Sequence, residues 1–162
     1  MKFRFIVPVL LAVLPWAEAG AQAKEAQTTF RVTARVDAVC GVTVADLDFG
    51  AYTGAAAPVQ VSTNLTMTCT PQTLYQIGFN EGTSPGSQIN DRKLAAGGTT
   101  LNYQLYRDAS HLQIWGNTSG TDTVGGTASG LEQVIPVYGQ IPGSQLAPAG
   151  AYSDTITVRI YY

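Results

Sequence analysis

The chain is poor in the residues that most enzymes rely on. Among its 162 residues there is one histidine, His111, and there are two cysteines, Cys40 and Cys69. Two distant thiols and one imidazole do not assemble a tetrahedral zinc site. Nucleophilic catalysis by Ser, Thr or Cys needs a base in reach, most often histidine. His111 lies in DASHLQIWG and reads as an exposed histidine in a turn that leads into a short strand. Carboxylates could run glycoside hydrolysis as a pair, and Asp46 with Asp48, or Asp91 with Asp108, are the pairs on offer. The first pair flanks a strand end, where acidic residues are common. The expectation is a protein that is not an enzyme and carries neither metal nor cofactor.

Charge is scarce as well. Asp, Glu, Lys and Arg make up 12% of the chain, about half the usual share of roughly 25%. The N-terminal stretch MKFRFIVPVLLAVLPWAEAGAQA has Lys2 and Arg4, then an apolar run from Phe5 to Trp16, then small residues with an A-x-A site at Ala21-Gln22-Ala23. That order is a secretory signal over residues 1–23, with Ala17-Glu18-Ala19 as an alternative cut. The run is shorter than the roughly 20 residues a membrane span needs, and no later segment is long enough, so stable membrane insertion is not expected. Removing residues 1–23 takes away Lys2, Arg4 and Glu18, so nine basic and eleven acidic residues become seven and ten, a net charge of −3. Such a balance attracts neither nucleic acid nor anionic lipid.

Helical periodicity is missing too, and period-2 alternation takes its place. In VQVSTNLTMTC, Val59, Val61, Leu65, Met67 and Cys69 share a face with Thr63 and leave Gln60, Ser62, Asn64, Thr66 and Thr68 on the other. TTLNYQLYRD sets Leu101, Tyr103 and Leu105 against Asn102, Gln104 and Tyr106. DTITVRIYY sets Ile156, Val158, Ile160 and Tyr162 inward against Thr155, Thr157, Arg159 and Tyr161. Alternation of this kind marks half-buried strands. Shorter candidates are VTVADLDFGAY, with a break near Asp46, LYQIGFN, LQIWG with Trp115 in the core, and EQVIPVYG. Turn clusters separate them, including NEGTSPGSQINDRK and the Gly- and Thr-rich tract 117–130, which reads as a mobile loop. Many strands without a helix indicate an antiparallel sandwich in one domain.

Both cysteines lie in the exported part, and in an oxidising compartment an isolated pair is most simply a disulfide. A Cys40–Cys69 bridge closes a loop of about 30 residues, which the chain-entropy argument values at roughly 3 to 4 kcal/mol.

Several strings together resemble one family. They are C-x-V-x-x-x-D-x-x-FG-Y from Cys40 to Tyr52, MTCT at Met67 to Thr70, LNYQLYRD from Leu101, the Trp115-Gly116 pair, PVYGQIP from Pro136, and the terminal GAYSDTITVRIYY. In order, and over nearly all of the mature chain, they resemble the spore coat protein U family, which includes pilus subunits of archaic chaperone-usher systems. The resemblance implies an all-β fold: an incomplete immunoglobulin-like Greek-key sandwich with an N-terminal donor strand. It implies a structural pilin, secreted through the periplasm to a cell-surface fimbria that supports adhesion or biofilm formation. Its partners would be neighbouring subunits, a periplasmic chaperone and an outer-membrane usher.

On that footing residues 24–37 form the donor extension and residues 38–162 the pilin domain. Phe30, Val32, Ala34 and Val36 alternate with Thr29, Arg31, Thr33 and Arg35, and by family position they are the knobs that enter a neighbour's groove, with Ala34 at its tightest part. Cys40 must stay with Cys69, so the donor leaves its domain at Asp37-Ala38, and the four steps from Val36 to Cys40 span about 13 Å. At the other end Ile156, Val158, Ile160 and Tyr162 form the strand with which the chaperone pairs, its basic residues holding the terminal carboxylate. Two other functions fit the residues: a secreted coat protein whose first strand completes its own sandwich, and a tip adhesin or glycan-binding sandwich using Trp115 or the 117–130 loop.

Overall fold

The computed structural model describes Gly20 and residues 24–162, so the leader expected over 1–23 lies, Gly20 apart, outside the described residues. Two units divide the chain, Met1–Arg35 and Val36–Tyr162. In the first, residues 24–35 are exposed and have no regular secondary structure. The second holds eight strands: β1 (Cys40–Val44), β2 (Val59–Cys69), β3 (Leu74–Phe79), β4 (Arg92–Ala96), β5 (Thr99–Tyr106), β6 (Val124–Thr127), β7 (Gln133–Ile141) and β8 (Val158–Tyr161).

They form two antiparallel sheets, of order β1-β2-β7-β5-β4 and β6-β3-β8. The architecture is the antiparallel all-β sandwich expected from the alternation, with the immunoglobulin-like fold that the family resemblance implies. In β2 the odd positions turn inward, Leu65, Met67 and Cys69 being fully buried, while Gln60, Ser62, Asn64 and Thr68 face solvent. Leu101, Tyr103 and Leu105 of β5 and Val137 and Ile141 of β7 complete the inner face of the larger sheet. Ile77 and Phe79 face them from β3. Trp115 is wholly buried, stacks on Phe79 with ring centroids 4.3 Å apart, and donates its indole N–H to the Ile77 carbonyl at 2.8 Å. A buried indole needs such an acceptor. Pro136 is tolerated inside β7 because it lies opposite Asn64 of β2, short of the stretch 138–140 that pairs with β5.

Five expectations need correction. Tract 117–130 is not a free loop: 124–127 form β6 on the edge of β3, and Asp122 anchors the turn before it by accepting from the Thr118 N–H at 2.6 Å. Its Gly126 lies close on the Tyr75 side chain, where a Cβ would meet the hydroxyl oxygen at 2.9 Å. LQIWG is not a strand but a turn with a single bridge from Ile114 to Tyr106, because the Asp108 carboxylate captures the Leu112 and Gln113 N–H groups. His111, in that turn with φ 56°, is partly buried rather than exposed, its ring set edge-on between Tyr106 and Tyr138. The C-terminal strand is shorter than DTITVRIYY: Thr157 gives its N–H to the Asn80 side chain, and the strand spans only 158–161. Tyr162 lies beyond its end, 60% exposed instead of inward.

Candidate functional site

Each sheet has an end strand beside the same gap. β1 terminates the larger sheet and pairs with β2 alone; β8 terminates the smaller one and pairs with β3 alone. The Ala45 N–H still reaches the Asn64 carbonyl at 3.2 Å and its carbonyl accepts from the Thr63 hydroxyl at 3.0 Å. Beyond Ala45 the chain leaves β2 and runs as irregular backbone, at the place where the sequence puts a break. Between this segment and the segment leading into β8 lies a groove of about 1110 Å³, rimmed by 44–54 on one side and 146–156 with Val158 on the other. Leu94, Leu101, Leu105, Val137 and Ile141 contribute its apolar floor. Leu101, Leu105, Val137 and Ile141 are themselves buried, while the rims over 46–54 and 146–152 carry no strand pairing, and an unpaired sheet edge is costly in water.

Polar clamps hold the rims. The Asp154 carboxylate accepts the Tyr103 hydroxyl at 2.7 Å, the Thr83 N–H at 2.8 Å and the Ser84 N–H at 3.0 Å. Burial pushes this carboxyl up, but the bonds from Tyr103, Thr83, Thr155 and Ser84 outweigh it and hold Asp154 below the ordinary carboxylate range. Gly82 makes room for it, since a Cβ there would collide with the carboxylate. Arg92, wholly buried, donates to the carbonyls of Asn80 (2.7 Å), Trp115 (2.7 Å) and Phe79 (3.2 Å) and to the Gln104 amide oxygen. Burial lowers the pKa of its guanidinium from the usual value. Five N–H donors in a rigid fork suit this work, tying β3, β4 and β5 at one end of the groove.

Cys40 and Cys69 are opposite each other in the β1–β2 register and are joined by a disulfide. Thr70 continues the clamp: its N–H donates to the Val39 carbonyl at 2.9 Å and its hydroxyl accepts the Val39 N–H at 3.1 Å. Ile156 and Val158 are half-buried on the groove rim and Ile160 packs against the core. Tyr162 is not brought to the groove; it borders a shallow hollow with Val36, Ala38 and Leu74. Phe30, Val32 and Val36 are 84%, 79% and 82% exposed, and Ala34 is exposed with them.

Three of the four carboxylates considered for chemistry have structural work. Asp48 accepts the Gly50 N–H at 2.8 Å in a turn where Gly50 has φ 67°, Asp91 pairs with Lys93, and Asp108 builds its own turn. Among the described residues no three metal-ligating side chains cluster. Arg92 and Asp154 were not legible as site residues in the sequence. The available signal for Arg92 was parity, since it shares its phase with Leu94 in RKLAA.

Comparison with known proteins gives three likenesses. Residues 26–159 match the profile of the Spore Coat Protein U domain. "Protein U" of Myxococcus xanthus is 31% identical, over 88% of this chain and 88% of its own length. A chain of the crystal structure of the CsuC-CsuE chaperone-tip adhesion subunit pre-assembly complex, from the archaic chaperone-usher Csu pili of Acinetobacter baumannii, superposes with a TM-score of 0.56 at 25% identity. That match covers 78% of this chain and spans 40% of the length of the other.

Proposed function

Since the chain belongs to the Spore Coat Protein U domain family, we propose that it is a pilus subunit, exported through the periplasm and polymerised at the cell surface by donor-strand exchange. The observation that carries this reading is the groove between the segment that follows β1 and the segment that leads into β8, two strands that each end a sheet with one unpaired edge. Residues 30–36 present four small or apolar side chains at period 2 and are exposed. An extended segment of that length reaches about 20 Å between its first and last knob. Inserted between the two rims, such a strand supplies main-chain bonds to both and fills the floor with Phe30, Val32, Ala34 and Val36.

The boundary of the donor falls at residues 37–38, with 24–37 as the extension and 38–162 as the domain. Support comes from Val39, held on both sides by Thr70, and Cys40, bound to Cys69. Before assembly a periplasmic chaperone occupies the groove, pairing with 156–162, and an outer-membrane usher exchanges it for the next subunit. The exchange needs no nucleotide, because the final pairing is the more stable one. The protein is read as structural, with adhesion or biofilm formation as the role of the fibre.

Deleting residues 24–36 tests the reading. The shortened subunit should still bind a chaperone but no longer extend a polymer, seen as loss of the ladder on unheated denaturing gels. Normal polymerisation of the deleted form, or a full-length chain that stays a stable monomer without chaperone, would refute strand exchange and favour the self-completed coat protein.

A further inference from the structure

One pole of the domain is apolar and uncovered. Val39, Leu74, Leu131 and Tyr162 are 65%, 73%, 73% and 60% exposed. They are gathered there by the fold. Thr70 clamps Val39, Pro71 packs so closely on Gly130 that a Cβ there would meet the proline Cγ at 2.5 Å, and Leu74 and Tyr162 border one hollow with Pro71. At the opposite pole Leu146 is 99% exposed, on a loop pinned by the Gln145 side chain to Asn102 at the far end of β5 and by the Gln145 N–H to the Tyr52 hydroxyl at 2.8 Å. Side chains this exposed and apolar, grouped at one place, mark a contact surface.

We propose that the Val39–Leu74–Leu131–Tyr162 pole packs on the pole carrying Leu146 of the next copy of this chain, a head-to-tail contact at the mouth of the groove, which Leu146 borders, in addition to strand insertion. The inference rests on the strand-exchange reading above, because the donor is what fixes the occupant. With residues 30–36 lodged in a neighbour and Val39 clamped to Thr70, the three steps from Val36 to Val39 span at most about 10 Å. The neighbour is therefore held against this pole.

The direction of the donor selects which end of the neighbour arrives. β1 begins and β8 ends beside this pole, since Cys40 pairs with Cys69 and Gln76 with Tyr161. A donor whose residue 36 emerged at the acceptor's equivalent pole would crowd the acceptor's own departing extension. Emergence at the far end avoids that and makes the donor antiparallel to β8, the stronger pairing. The far end is where Leu146 lies. Different surfaces then meet at each junction, as an open fibre requires.

Amide exchange on assembled fibres and on freshly refolded monomer tests the contact, together with the Leu74→Glu/Leu131→Glu variant. Fibres should form a ladder on unheated gels, and exchange at 71–74 and 129–132 should slow at least about fivefold relative to the monomer. The variant should keep the ladder and lose that protection. A ladder with these amides exchanging at the monomer rate overturns the contact and leaves strand exchange standing. Absence of any ladder from the unaltered chain overturns strand exchange, and the contact with it. Should the variant fail to fold, the comparison of unaltered fibre and monomer decides.

Discussion

The Tyr103 hydroxyl donates to the Asp154 carboxylate at 2.7 Å, linking the floor of the groove to the rim that feeds β8. Asp154 sits below its ordinary value of 3.8. A carboxyl depressed in the folded state contributes stability above the unfolded value, and that contribution is lost as pH falls through the folded one. Acid unfolding should therefore steepen below about pH 3.8, and Asp154→Asn should flatten that limb in urea titrations at stepped pH. Burial, then the bond to Asp154, push the Tyr103 phenol above its usual 10.0. Its contribution is complete below pH 10 and lost as pH rises further, so Tyr103→Phe should remove an alkaline decline and cost about 1–2 kcal/mol at neutral pH.

Arg92 holds three main-chain carbonyls that no other side chain reaches in the same place. Arg92→Met should lower stability by about 3–5 kcal/mol, because buried acceptors are left without donors and each costs about 1–3 kcal/mol. Arg92→Lys should recover less than half of that, since an ammonium cannot reproduce the planar fork. Chemical denaturation midpoints at constant slope measure both.

Replacing Cys40 and Cys69 together by serine should cost about 2–5 kcal/mol. The bridge lies within paired strands, so the circular dichroism of the folded variant should stay that of a β protein. The same loss should follow reduction of the unaltered chain.

Phe30→Asp and Val32→Asp should leave the folded domain unchanged in melting temperature, because both positions are exposed in the subunit. Polymerisation should fall sharply, since an ionised carboxylate in an apolar groove is unpaired and costs several kcal/mol. Thr33→Asp, on the other face of the strand, should have a small effect. Equal polymerisation by all three would remove residues 30–36 from the groove.

Much of the sandwich was readable from the chain because alternation is a local property. The inward faces of β2, β5 and β7 follow from every second residue being apolar, and Met67, Leu105 and Val137 are where that rule puts them. Trp115 was identified as core, but the strand assigned to it was not found, because Asp108 competes for the backbone donors of 112 and 113. β6 was hidden in a Gly-rich tract, whose strand glycines lie close on the side chains of β3.

By itself the sequence determined the all-β class and the separation of an alternating N-terminal segment from the first cysteine. These depend on the period of a strand and on residue chemistry along the chain. Only the tertiary structure decided which edges are left unpaired, that Arg92 is buried while Tyr162 is not, and that Asp154 meets Tyr103. Those outcomes depend on which distant strands pair and which solvent they exclude, and no local pattern encodes them.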